Sequence, residues 1–134
     1  MTTAPRAVLS RYYQAMLDKS ADDLADLYAA DAVHEFPFTA PGFPARFEGR
    51  EQVRAGYHAA WDAAPMRLTA IEDVRVHETA DPEVIVAEQR AVGTMGADDR
   101  AFAVPGLLIL RVRDGEVVHV RDYLDTLAVS GVAG

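Results

Sequence analysis

The apolar residues of this chain change their spacing at Pro65, and that change decides what the chain can fold into. Before it they recur at helical intervals, and after it they alternate. From Pro5, the residues Leu9, Tyr12, Tyr13, Met16 and Leu17 lie on one stripe of a half-buried helix, with Pro5 suited to its first turn. Ser20 and Asp23 resemble a capping box that opens a short second helix carrying Leu24, Leu27 and Tyr28 on one side. Ala32 to Phe36 reads as a short strand, followed by a loop from Pro37 to Glu48 with three prolines and the aromatics Phe38, Phe43 and Phe47. Arg50 to Ala64 forms a third helix with Val53, Tyr57, Ala60, Trp61 and Ala64 on one face, stopped by Pro65.

Beyond Pro65 the period of two predicts strands over Leu68–His77, Val84–Val92, Phe102–Val112 and Glu116 to about Leu127. Ala80-Asp81-Pro82 turns the first pair, and a loop at Gly93–Gly96 ends the second strand. Asp114-Gly115 is the strongest hairpin signal in the chain, because both residues tolerate the positive φ that a two-residue turn demands. Helices followed by an antiparallel meander make an α+β fold, expected as one domain over residues 1–134 with helices on one face of a curved sheet.

Charge and cysteine content narrow the function. Thirteen Lys/Arg against 21 Asp/Glu leave a net charge of −8, the wrong sign for a protein that neutralises phosphates, so nucleic acid is excluded as a partner. There is no cysteine, which removes disulfides, iron–sulfur clusters and thiol nucleophiles. The first residues carry no apolar leader core, and no apolar run approaches the roughly 18 residues of a membrane span, so a cytoplasmic protein without membrane contact is expected.

Strand alternation singles out polar residues in unusual places. In the last strand the even face reads Val118, Val120, Asp122, Leu124, and the odd face His119, Arg121, Tyr123, Asp125. Asp122 interrupts an apolar row. An ionised carboxylate there needs a partner, water or a raised pKa, unless the strand end is wet or a bulge shifts the register. His34 shares a face with Ala32 and Phe36, as a structural or a chemically active histidine, and Gln89 is the one amide on the face Ile85, Ala87, Gln89, Ala91. His58, His77 and His119 sit where solvent explains them. Metal-ligand spacing, a phosphate-binding glycine loop and a Gly-x-Ser-x-Gly elbow are all missing, so no metal or cofactor is expected. Tyr57, Trp61 and the loop phenylalanines either fill the core or wall an apolar pocket.

Several segments resemble a known family: Arg11-Tyr12-Tyr13, Tyr28-Ala29-Ala30-Asp31-Ala32, Glu48-Gly49-Arg50-Glu51, and Arg113-Asp114-Gly115-Glu116 through Arg121-Asp122-Tyr123-Leu124-Asp125. Over about residues 6 to 128 they look like a SnoaL-like member of the nuclear transport factor 2-like superfamily. The resemblance implies a cone-shaped α+β fold, with three N-terminal helices packed on a curved, mostly antiparallel sheet (a cystatin-like roll). It also implies an apolar pocket and a homodimer formed through the outer sheet face. Relatives include polyketide cyclases, ketosteroid isomerases, limonene epoxide hydrolases and phenazine-biosynthesis proteins. The position of Asp122 resembles the water-activating carboxylate of the epoxide hydrolases, and that of His34 a tyrosine holding the same water. The arginine and second aspartate of that site fall on Gln89 and Ala91, so its acid–base arrangement is incomplete. Against ketosteroid isomerases, Tyr12 resembles the oxyanion-hole tyrosine, but the base falls on Phe36 and the second acid on about Leu108.

The expectation is a cofactor-independent enzyme of isomerase or cyclase type, acting by acid–base catalysis on a small, largely apolar substrate of polyketide or terpenoid character. Asp122 is the expected base and His34 its orienting or proton-shuttling partner. Tyr12 and Gln89 are expected as hydrogen-bond donors to substrate oxygen, and Phe36, Tyr57, Trp61, Leu108 and Leu110 as walls. Epoxide-hydrolase-type water activation and a non-catalytic, dimeric binding module are the alternatives. They separate on whether His34 and Asp122 meet within an enclosed space.

Overall fold

A computed structural model describes residues 4–38, 41–42, 44–63, 65–126 and 128. The chain runs α1 (Pro5–Leu17), α2 (Ala21–Ala25), β1 (Tyr28–Glu35), β2 (Arg46–Glu48), α3 (Arg50–Ala63), β3 (Met66–Glu78), β4 (Val84–Met95), β5 (Arg100–Arg113) and β6 (Glu116–Leu124). The six strands form one curved, open sheet in the order β2-β1-β6-β5-β4-β3. Every neighbouring pair is antiparallel except β1 with β6, which run parallel. α1 packs over β3, β4 and β5, and α3 over β1 and β2.

The helices form where the sequence stripe predicts, with one correction. α1 buries Val8, Leu9, Tyr12 and Ala15, and Tyr13 and Met16 pack partly covered beside them. Ser20 Oγ accepts from the Asp23 amide at 3.1 Å, which caps α2. That helix has only five residues, so Tyr28 does not share a helical face with Leu24 and Leu27. Tyr28 opens β1 instead, opposite Val117, where the Val117 amide donates to the Leu27 carbonyl at 2.8 Å. β2 is a second correction: three residues of the presumed loop pair with β1, too few for alternation to show. Phe43, Ala64 and Leu127, which the sequence reading placed in the loop, on the third helix and near the end of the last strand, lie outside the described residues.

Asp114 and Gly115 take φ of 53° and 79° and close the β5–β6 turn as their types demand. Gly93 belongs to β4, not to a loop, and the turn after it runs through Gly96 at φ 80°. Along β6 the register shifts between the pairs Arg111–His119 and Val112–Val117, so Val118 is an extra residue. Val117 and Val120 are therefore both fully buried, and from Val120 onward the even residues face inward. Asp122 then stands opposite Leu108, Leu108 opposite Ala87, and Ala87 opposite Val76.

An ion cluster ties α2 to α3. Arg54 reaches Asp22 and Asp26 at 2.9 Å each and Glu51 at 3.0 Å, and its hydrogen bonds hold the Asp22 and Glu51 carboxyls below their ordinary values. A carboxyl lowered by folding stabilises above its unfolded value, here 3.8 for Asp22 and 4.5 for Glu51, and loses that contribution as pH falls through the folded value. Arg54→Gln is therefore expected to melt earlier than wild type at pH 7. The gap should stay within a few degrees because the carboxylates are exposed, and it should close as the pH falls through the lowered values of the two carboxyls. Thermal unfolding followed by circular dichroism across that range checks both the sign and the pH window.

Candidate active site

Asp122 is nearly buried, 9% exposed, on the inward face of β6. β1 lies beside β6 in parallel register, with His34 opposite Val120, one residue pair from Asp122 on the same face. His34 is fully buried, and its Nε2 lies 3.0 Å from Asp122 Oδ2. Its other ring nitrogen, Nδ1, lies 2.7 Å from the hydroxyl of Tyr28, which is also fully buried. A phenol keeps its proton in such a place: burial pushes the Tyr28 hydroxyl well above its ordinary value. In the tautomer with its hydrogen on Nε2, His34 accepts from the Tyr28 hydroxyl at Nδ1 and donates to the carboxylate.

Asp122 Oδ1 takes part in no hydrogen bond among the described residues, and it is not among the sealed polar atoms. The side chain keeps 12% of its surface open. One carboxylate oxygen is therefore held and oriented while the other is accessible.

Aromatic rings surround the imidazole. Phe36 lies 4.8 Å from it, Tyr57 5.9 Å and Phe47 6.2 Å between ring centroids, and Trp61 packs on Tyr57 at 4.9 Å. Leu108 faces Asp122 across the ladder, whereas Leu110 lies one row away, opposite Val120 and fully buried in the core. Tyr12 comes to the cluster but is covered, 1% exposed, with its hydroxyl engaged with those of Tyr28 and Tyr57 and burial raising it far above the ordinary phenol value. Phe38 goes elsewhere: it is exposed and packs against Tyr123 on the outward face.

Gln89 lies on the inward face of β4, away from His34, and its Oε1 accepts from the Tyr13 hydroxyl at 2.5 Å. His58 and His77 lie beside the surface carboxylates Asp22 and Glu88, whereas solvent does not explain His119: its Nε2 is sealed without a hydrogen bond, 3.6 Å from the half-buried Glu35. Among the described residues no group of three or more His, Asp or Glu could hold a metal ion, and no helix is long and apolar enough to cross a membrane. Two described concavities lie at other places. One of about 330 Å³ sits between the start of α1 and the β3–β4 turn, and one of about 650 Å³ between the end of α1 and the start of β3.

The sequence reading did not single out Tyr28 or Tyr13. The signal for Tyr28 was present: it precedes His34 by six residues, an even number, and an earlier strand start would have put both on one face. Tyr13 was on the helix stripe already, but nothing local shows that its hydroxyl meets an amide 76 positions away.

Tyr28→Phe is expected to leave His34 Nδ1 buried without a donor, which costs about 1–3 kcal/mol and should lower Tm by roughly 3–10 °C. Thermal unfolding with Tyr13→Phe as the partly exposed comparison checks it. An unchanged Tm would show that the hydroxyl does not hold the imidazole.

Comparison with known proteins places the fold. The model of the SnoaL-like domain matches residues 9–120. An uncharacterised PhzA/B-like protein of Pseudomonas aeruginosa is 34% identical over 102 residues, 76% of this chain and 70% of the relative. Among solved structures, a Bacillus subtilis protein provisionally named an isomerase superposes with a TM-score of 0.87 at 25% identity, covering 96% of this chain and 91% of its own. A Xanthomonas campestris protein provisionally named a polyketide cyclase gives 0.73 at 20% identity, covering 96% of both chains, and shares the fold.

Proposed function

The chain belongs to the SnoaL-like domain family, of cyclase and isomerase type, and from that premise we propose that it is a cofactor-independent enzyme moving protons on a small, largely apolar substrate. The observation that carries the reading is the buried Tyr28–His34–Asp122 chain, which leaves Asp122 Oδ1 accessible.

Asp122 is the base. Its carboxylate removes a proton from a carbon next to a substrate carbonyl. The C–H bond breaks, its electron pair becomes the enolate, and the proton rests on Oδ1. Returning that proton to another carbon gives an isomer, and attack of the enolate carbon on an internal electrophile closes a ring. No electron leaves the substrate in either case. His34 donates to Oδ2 and holds the carboxylate in one orientation, and Tyr28 fixes the imidazole so that the hydrogen stays on Nε2. Proton transfer by a positioned group contributes about 10²- to 10⁴-fold. The aromatic rings of Phe36, Phe47 and Tyr57 pack around the imidazole and hold it in place.

The test is hydrogen–deuterium exchange at the α-carbon of a simple cyclic ketone, 1-tetralone, in deuterium oxide, followed by proton NMR. Wild-type protein is expected to speed the exchange above the buffer rate. A second reading, a non-catalytic binding module, draws on the same rings, which pack closely about His34 and so leave little space beside it. Tight binding of the ketone with exchange at the buffer rate would favour that module.

A further inference from the structure

β1 and β6 carry a second set of charged residues back to back with the first. His34 and Asp122 face inward. Their chain neighbours Glu35 and Arg121 stand opposite each other on the outward face, with His119 one outward step along β6. The Glu35 carboxylate lies among cationic side chains from both flanking strands. Its Oε2 is 3.5 Å from Arg121 Nη1 and 3.6 Å from His119 Nε2, and its Oε1 is 3.8 Å from Arg46 Nη1 on β2. His119 Nε2 is sealed from solvent without a hydrogen bond, so Glu35 is what faces it. Arg111, opposite His119 on β5, is occupied with Asp81 and Glu83. Among the described residues, Glu35 is the one carboxylate that pairs with His119 or Arg121.

The ladder alone gives this end of β1 a short hold. Its register with β6 is interrupted between Tyr28 and Val33, and beyond that three pairs fix it: Val33–His119, His34–Val120 and Glu35–Arg121. β2 adds three pairs on the other side. A one-residue slip would turn His34 outward, and a smaller displacement would open its 3.0 Å contact with Asp122. The outward carboxylate bridges β2 and β6 across β1 at the residue that follows His34. Ion pairs this open to water add little to global stability, so the effect of the bridge is local.

We propose that Glu35 is a positioning residue: by drawing Arg46, Arg121 and His119 together on the outward face, it fixes β1 against β6 and keeps His34 on Asp122 inside. The inference rests on Asp122 as the base and names a residue outside the site on which the orientation of that base depends. Glu35 touches no substrate and takes no proton from it.

The test compares Glu35→Gln with Glu88→Gln, which removes the outward pair of His77 and Glu88 on β3 and β4. One readout is solvent exchange of the hydrogen between His34 Nε2 and Asp122, by proton NMR of protein carrying isotope-labelled histidine. The other is kcat and KM for α-deuterium exchange of 1-tetralone. A reacting group misplaced by about 1 Å can cost 10²-fold, and a partial loosening should cost less. In Glu35→Gln the His34 hydrogen should therefore exchange with water about tenfold faster and kcat should fall about tenfold, with KM unchanged and Tm within about 3 °C of wild type. Glu35→Asp keeps the charge but sets it one methylene back, so it should lose about two- to threefold in each readout. It also serves if Glu35→Gln does not fold. Glu88→Gln should change neither. An unchanged His34 hydrogen in the Glu35 variants, an equal change in Glu88→Gln, or a fall in kcat with His34 undisturbed overturns the proposal. Loosening of His34 in a protein that exchanges no tetralone spares this bridge and sinks the base. Exchange that needs Asp122 but is indifferent to Glu35 does the reverse.

Discussion

Asp122→Asn is expected to bring α-deuterium exchange of 1-tetralone down to the buffer rate, a loss of about 10²- to 10⁴-fold, while Tm stays within about 3 °C of wild type. Asparagine has the size of aspartate and its amide oxygen can still accept from His34 Nε2, so the contact at 3.0 Å survives in kind. What disappears is the lone pair basic enough to take a carbon-bound proton. The fold should tolerate the change, because replacing a nearly buried carboxylate by an amide also removes a desolvation cost. His34→Gln should lose less, since it disturbs the orientation of the base and not its basicity. If the two act as one unit, the double variant should be no slower than Asp122→Asn alone. Exchange at the wild-type rate in Asp122→Asn would take Asp122 out of the chemistry, whatever its position.

Gly93→Ala should be the most damaging small substitution in the sheet. Gly93 is buried in β4, facing Leu68 on β3, and a Cβ there would stand 2.0 Å from the Arg67 carbonyl oxygen and 2.9 Å from the Leu68 Cα. Both are backbone atoms of the neighbouring strand, so no side chain can turn aside and the strands must part. Overpacking typically costs about 1–3 kcal/mol, and rigid main chain on the far side puts this case at the upper end. A loss near 3 kcal/mol should lower Tm by about 10 °C and reduce the urea midpoint with no change in slope. Gly106→Ala, whose nearest backbone atom lies at 3.1 Å, should cost far less. A Gly93→Ala protein melting within about 2 °C of wild type would mean that β3 and β4 are not this close.

Gly93 also shows why part of the fold was not legible. Read along the chain, a glycine near a strand end resembles a loop, and only the approach of Arg67, 26 positions earlier, explains it. β2 escaped for a related reason, since three residues cannot display a period and need β1 to become a strand. Tyr28 reads as part of α2 because its spacing from Leu24 is helical. The amide of Val117, far along the chain, claims the Leu27 carbonyl and draws Tyr28 into the sheet.

By itself the sequence determined the period of each segment and marked Asp122 as the carboxylate in an apolar row. The break in period at Pro65, the Asp114-Gly115 turn and the inward position of Asp122 are local properties. Backbone geometry alternates side chains, two positive-φ residues close a hairpin, and an apolar row must face the core. The tertiary structure alone decided which inward residues meet. His34 reaches Asp122 across 88 positions because β1 lies parallel to β6 in one register, and Tyr13 reaches Gln89 because α1 lies across β4. Registers between distant segments follow from packing all the elements together, and no stretch of chain carries that information alone.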